Sequence, residues 1–188
     1  MIVDRAGYRF NVGIILVNEE GSVFLARRLG HNAWQFPQGG LNENETVMEA
    51  LYRELKEEVG LEPTDVIVMG YTRHWLKYRL PKQYLRPDTR PLVIGQKQRW
   101  FLLRLKCSEQ KVRLDLSESP EFDSWRWADY WDPVSEVIYF KQQVYRQALK
   151  ELEPLLKGDI PNQLESAQLY PSTSTNGYRR RGSGKYRR

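Results

Sequence analysis

Residues 46–60, TVMEALYRELKEEVG, are the most constrained stretch of this chain. Thr46 followed three residues later by Glu49 is a capping box, in which each side chain satisfies the other residue's amide, so a helix starts here. Gly60 supplies the left-handed residue that ends the helix, and Pro63 prevents its resumption. Between these stops Val47, Leu51, Leu55 and Val59 recur every four residues and form one apolar stripe. Glu54, Glu57 and Glu58 are related by i, i+3 and i+4, so their carboxylates emerge on one adjoining arc. Like charges at that spacing cost roughly 0.2–0.5 kcal/mol per pair in an isolated helix. A hard divalent cation compensates such crowding, because Mg2+ and Mn2+ prefer convergent oxygen ligands, and Mg2+ is commonly shared with substrate phosphates. A solvated acidic face paired with Arg53 and Lys56 is the alternative for this helix taken alone.

Strand-like runs lie on both sides of the helix. NVGIILVN and SVFLARRL flank Glu19-Glu20-Gly21 and read as a hairpin. Residues 65–71 (DVIVMGY) and 99–105 (RWFLLRL) are further strands, and FDSWRWADY alternates Phe122, Ser124 and Arg126 against Asp123, Trp125 and Trp127. Asp132-Pro133 opens a helical pattern running to about Leu156, with Val137, Val144, Ala148, Leu152 and Leu155 on one stripe. No internal repeat is visible. The order strands, helix, strands, helix predicts an α/β fold with a mixed sheet flanked by helices.

At 188 residues, 40% of them hydrophobic, the chain can bury the core of one ordinary domain. Its longest apolar run, Val12 to Val17, is far too short to span a bilayer, and MIVDRAGY lacks a signal-peptide layout; the expected location is the cytoplasm, with no membrane partner. The single cysteine, Cys107, excludes an intrachain disulfide framework and reads as a structural thiol after an apolar strand. His31 and His74 are too few and too far apart for a zinc site. The formal charge of +5 is unevenly placed: residues 171–188 carry six Lys or Arg and no acid, and subtracting six from +5 leaves −1 for the rest. The expected organisation is a domain over 1–157 and a disordered basic tail over 158–188, which would attract phosphate polymers in a salt-dependent way or serve only as a solvated appendage.

The loop before the acidic helix supplies the decisive pattern. Gly39, Glu45, Arg53-Glu54-Leu55, Glu57-Glu58 and Gly60-Leu61 reproduce G-x5-E-x7-R-E-U-x-E-E-x-G-U without departure, where U is an aliphatic residue. On these residues the chain resembles the Nudix hydrolases. The resemblance implies an α/β/α sandwich with a mixed β-sheet between helices, and a loop-helix-loop that binds metal and hydrolyses a nucleoside diphosphate linked to another group. It makes Glu54, Glu57 and Glu58 metal-binding carboxylates, Arg53 and Glu45 the pair that orients them, and Gly39 a backbone contact to metal or phosphate. Glu121, at a turn entering a strand, matches a loop glutamate that serves the metal site in related enzymes. Mg2+ or Mn2+ is the expected cofactor, and metals bridging phosphates lower the barrier to attack by water.

Longer segments narrow the resemblance. YRFNVGI, ARRLGHNAWQFPQGG, TRHWLKYRLP, IGQKQRWFLL, SPEFDSWRW and FKQQVYRQ, within roughly residues 4–156, are similar to the bacterial RNA 5′-pyrophosphohydrolases, and more weakly to plant-type diadenosine tetraphosphate hydrolases. The first likeness implies removal of pyrophosphate from RNA 5′ ends, leaving a 5′-monophosphate that promotes mRNA decay, by a monomer open to a stimulatory partner. Arg27 and Arg28 end an alternating strand, so one faces the metal cleft, and Arg28 is the candidate for phosphate. Lys77, Arg79, Lys82 and Arg86 interleave with Trp75, Tyr78 and Tyr84 in a stretch of little regular pattern, a mixture suited to backbone charge and base stacking. Lys141 would sit mid-stripe in a continuous last helix, so a break between Phe140 and Lys141, or a polar cleft at this end, is expected; either presents Phe140 to a base and Lys141 to its edge or phosphate. Arg9, Trp34, Gln38, Gln96 and Lys97 match family segments near the cleft. Trp100, Trp125 and Trp127 read as core. Free-nucleotide or diadenosine polyphosphate hydrolysis is the competing activity, and a catalytically silent nucleic-acid-binding module is the competing class. Such a module would have no need of the intact glutamate triplet.

Overall fold

A computed structural model describes residues 1–88, 90–156 and 158. Apart from Gly158, the tail expected at 158–188 lies outside the described residues. The fold is built around two long strands, β1 (Tyr8–Val17) and β7 (Gly95–Leu105), which run parallel in unbroken register from Tyr8 opposite Gly95 to Val17 opposite Arg104. Both are buried along most of their length, as central strands covered on two faces must be. In β1 the even residues Phe10, Val12, Ile14 and Leu16 enter one core, and Ile15 and Val17 enter the other. Gly13 is required by the second face, where an added Cβ would fall on the Trp100 ring.

The remaining strands are β2 (Val23–Arg28), β3 (Trp34–Gln35), β4 (Gln38–Gly40), β5 (Val66–Tyr71), β6 (Leu76–Arg79) and β8 (Phe122–Ala128). The main path runs β3-β2-β1-β7-β5, with β4 on β1, β6 on β7 and β8 on β2, and every pair except β1 with β7 is antiparallel. The sheet is therefore mixed, as expected. Helix α1 (Val47–Val59) covers the first core, and α3 (Gln142–Leu156) with the short α2 (Pro133–Glu136) covers the second. The EEG hairpin joins β1 to β2 with Val17 opposite Val23.

Three readings need correction. The segment 75–86 is not patternless: β6 within it pairs with β7, which buries Tyr78, and half-buried Trp75 is packed edge-on against Phe10 at 4.9 Å with the Arg99 guanidinium over its ring. The last helix is not continuous from Pro133. Val137 and Ile138 are extended, a 3-10 turn follows over Tyr139–Lys141, and α3 starts at Gln142; the break lies three residues earlier than expected because buried Val137 turns into the second core. Trp100 is fully buried, whereas Trp125 and Trp127 are half-buried, flanking Phe24, and the Trp127 indole donates to Glu109 at 2.6 Å. Cys107 is half-buried, and burial raises its pKa, in keeping with an inert thiol. Among the described residues no helix is long and apolar enough to cross a membrane.

The second core is pinned by one buried hydroxyl. Tyr145 on α3 is fully buried against Phe36 and Trp100, and its oxygen accepts the Phe36 amide at 3.0 Å. Tyr145→Phe keeps the ring and orphans that amide, so a stability loss of about 1–3 kcal/mol is expected in urea denaturation, with an unchanged m-value.

Candidate active site

The local rules of α1 place the acidic arc. Thr46 accepts from the Glu49 amide at 3.2 Å, the Glu49 carboxylate accepts from the Thr46 amide at 2.7 Å, and Gly60 closes the helix in the left-handed region at φ 76°. The stripe Val47, Leu51, Leu55 and Val59 is fully buried. Fixing that stripe rotates Glu54 and Glu58 inward until they are 7% and 6% exposed, while Glu57 stays open to solvent. The inward glutamates meet β4: the Gln38 amide donates to Glu58 Oε2 at 2.7 Å, and Gly39 lies so close to Glu54 that an added Cβ would fall on its carboxylate.

Arg53 organises the arc. Its Nε and Nη2 donate to the two Glu45 oxygens at 2.6 and 2.9 Å, Nη1 to Glu54 at 2.6 Å and Glu57 at 3.1 Å, and Nη2 also to the Gly40 carbonyl at 2.9 Å. Glu45 is held in turn by the Asn42 amide at 2.8 Å. These contacts, Glu45 first, raise the Arg53 pKa and lower that of Glu45, so the pair stays charged. Arg53→Lys keeps the charge but loses the planar fork that spans both partners. Turnover is expected to fall ~10–100-fold, and stability by about 1–3 kcal/mol, as measured by steady-state kinetics and thermal melting.

Burial raises the pKa of Glu54 and, more strongly, of Glu58, and the field of Glu121 raises both. Glu121 is exposed, and its carbonyl accepts the Leu29 amide at 2.8 Å, which sets it beside Arg28. Lys141 is buried, donates to Gln35 Oε1 at 3.2 Å, and has its pKa pushed down to about 8 by burial and by Arg28, against the opposing pull of Glu121 and Glu58. Arg28, Glu58, Glu121 and Lys141 therefore share one electrostatic neighbourhood. Arg27 turns the other way and pairs with Asp123 at 2.7 Å.

The other expected residues divide. Arg9 lies over Gly40 and acts electrostatically on Tyr78, and Gln38 and Gln96 are joined through the side chain of Gln98. Phe140 packs with Tyr78 at 5.7 Å and exposed Tyr84 at 5.0 Å, leaving an aromatic face at the start of the 3-10 turn. Trp34, half-buried against the second core, carries the Arg126 guanidinium at 4.8 Å from its ring. Lys97 is paired with Asp4 at 2.7 Å. Gln35, Asn11 and Gln98 are contacts that the sequence reading missed. Their only signal was a polar residue at the end of an apolar strand.

Among the described residues no three carboxylate, imidazole or thiol groups are gathered closely enough to form a finished metal cage. Glu54 is drawn to Arg53, and Glu58 to the Gln38 amide. The donor set nonetheless fits a hard cation: buried and neighbouring carboxylates oppose one another's ionisation, and a glycine leaves room beside one of them.

The NUDIX domain family matches residues 7–152. The RNA pyrophosphohydrolase of Legionella pneumophila is 71% identical over 157 residues, covering 84% of this chain and 90% of that protein. That of Alkalilimnicola ehrlichii is 62% identical over 163 residues, covering 86% and 90%. Among solved structures, a Caenorhabditis elegans Ap4A hydrolase binary complex superposes with a TM-score of 0.58 at 17% identity, covering 80% of this chain and 98% of that one. The Escherichia coli dihydroneopterin triphosphate pyrophosphohydrolase gives 0.56 at 18%, covering 74% and 95%. At such identities the structural likeness speaks to the fold alone.

Proposed function

Because this chain belongs to the NUDIX family, whose domain spans most of its length, we infer that it removes pyrophosphate or phosphate from the 5′ ends of RNA. It is a hydrolase of phosphoanhydride bonds, and the observation that carries the RNA assignment is its 71% identity to an RNA pyrophosphohydrolase across 90% of that protein. Product RNA would carry a 5′-monophosphate and so be open to decay. The same reading makes it a cytoplasmic monomer with Mg2+ or Mn2+ as cofactor, open to a stimulatory protein partner.

In this reading Glu54, Glu57, Glu58 and Glu121 hold the divalent ions, with the Gly39 backbone alongside. The ions, when bound, neutralise phosphate charge and polarise the phosphoanhydride. Arg53, clamped by Glu45, sets the rotamers of Glu54 and Glu57 so that little reorganisation remains at the moment of reaction. A carboxylate of the cluster accepts the proton of the attacking water, which adds to phosphorus as the bridging P–O bond breaks and pyrophosphate leaves. Arg9, Arg28 and Lys141 supply positive charge for the phosphates, Gln38 and Gln96 supply amides, and Phe140 offers an aromatic face to bases, with Trp34 as a second aromatic contact.

The test supplies 5′-triphosphorylated RNA, diadenosine tetraphosphate and nucleoside triphosphates at equal concentration with Mg2+. Faster conversion of the RNA is expected. A preference for the dinucleotide or the free nucleotides would overturn the substrate assignment.

A further inference from the structure

We propose that Gln98 is a positioning residue that sets the polarity of the cleft wall, turning the amide nitrogens of neighbouring glutamines toward an anionic ligand. The proposal rests on reading this cleft as the phosphate-binding site. Gln98 lies on β7 beside Asn11 of β1, and it is fully buried. Its Nε2 donates to Asn11 Oδ1 at 3.0 Å and Gln38 Oε1 at 3.1 Å, with Gln96 Oε1 further off at 3.4 Å. Its own Oε1 is buried without a partner among the described residues. The carboxamide thus satisfies both hydrogens at the expense of its oxygen, the less costly orphan of the two.

This choice dictates the orientation of the amides around it. Gln38 and Gln96 give their oxygens to Gln98, so the ends turned away are NH2 groups, which can only donate. Tyr78 is buried near the same wall, and burial raises the pKa of its hydroxyl against the opposing pull of Arg9 and of the Gln38 side chain. Arg9 is the register partner of Gln96, and its guanidinium lies over Gly40 at the end of β4. One buried amide therefore fixes the orientation of Gln38 and Gln96, and with Arg9 the wall offers N–H and guanidinium donors to a ligand that carries only acceptors. Turning Gln98 over would oblige Asn11, Gln38 and Gln96 to turn with it, and the glutamines would then present oxygens to phosphate.

Three variants separate polarity from charge and from folding, each checked by thermal melting and assayed on 5′-triphosphorylated RNA. Gln98→Glu has no hydrogen to give and draws N–H groups from its neighbours, reversing the wall; KM is expected to rise ~10-fold or more with kcat within about threefold. Gln98→Met removes the orientation without adding charge, and a several-fold rise in KM is expected. Asn11→Asp adds the same charge next to Gln98 but still accepts from its Nε2, so its KM should rise less than that of Gln98→Glu. Equal KM values for Gln98→Glu and Asn11→Asp would make the effect one of charge and overturn the proposal. So would a fall in kcat at constant KM, or a wild-type KM in Gln98→Met. If Gln98→Glu fails to fold, Gln98→Met decides alone. The assay is repeated on diadenosine tetraphosphate: the wild-type preference tests the RNA assignment, and the KM ratios among variants on the better substrate test the role of Gln98.

Discussion

Glu58→Gln is expected to slow turnover of 5′-triphosphorylated RNA by ~10²–10⁴-fold while leaving the metal-free protein at least as stable as the wild type. The two halves of this expectation share one cause. Glu58 is buried, and burial, then Glu54 and Glu121, raise its folded-state pKa well above the ordinary value, which the unfolded chain retains. A group raised in this way adds stability only while protonated. That contribution is complete below about pH 4.5 and is lost as pH rises through the higher folded-state value. Glutamine stays neutral throughout and can still accept the Gln38 amide bond that Glu58 accepts at 2.7 Å. With a chelator present, the melting temperature of the variant relative to wild type should therefore increase from pH 5 toward pH 8. Glu57→Gln is the contrast, since its side chain is 49% exposed and bonded to Arg53 at 3.1 Å. Its melting temperature should be nearly unchanged, although turnover still falls. Wild-type turnover in Glu58→Gln would remove the carboxylate cluster from the chemistry.

What was legible in the sequence follows the range of the forces involved. Capping at Thr46 and Gly60, and the stripe that turns Glu54 and Glu58 inward, are local properties of thirteen helical residues, and they hold in the fold. The hairpin at Glu19-Glu20-Gly21 is equally local. The parallel pairing of β1 with β7 joins residues some ninety positions apart, and no periodicity in either strand announces it. The Asn11–Gln98 contact exists only through that register, so Gln98 could not be singled out, although Gln38 and Gln96 were. The break before α3 shows a subtler limit. Lys141 on an apolar stripe signalled an interruption, but its place at Val137 and Ile138 depends on how the second core accepts Val137 and on Gln35 of β3 meeting the lysine. Short strands such as β3 and β4 have too few residues to show alternation; their existence follows from pairing with β2 and β1.

Gly39→Ala should cut turnover ~10²-fold, through one added methyl group that leaves the net charge unchanged. Gly39 does not have the positive φ of Gly60, so alanine meets no backbone penalty there, and the whole effect is one of space. The added Cβ would occupy the position of the Glu54 carboxylate, which Arg53 holds at 2.6 Å. Either the carboxylate leaves Arg53 or β4 shifts away from α1. A stability loss of about 1–3 kcal/mol is expected, the usual cost of overpacking. The two mutations share this contact and so should not add. In a Glu54→Ala background the obstructing carboxylate is gone, and Gly39→Ala should then lower neither turnover nor melting temperature much further. Full additivity in both measurements would mean that Gly39 acts through something other than Glu54, and the close approach of β4 to α1 would lose its role in placing the carboxylate.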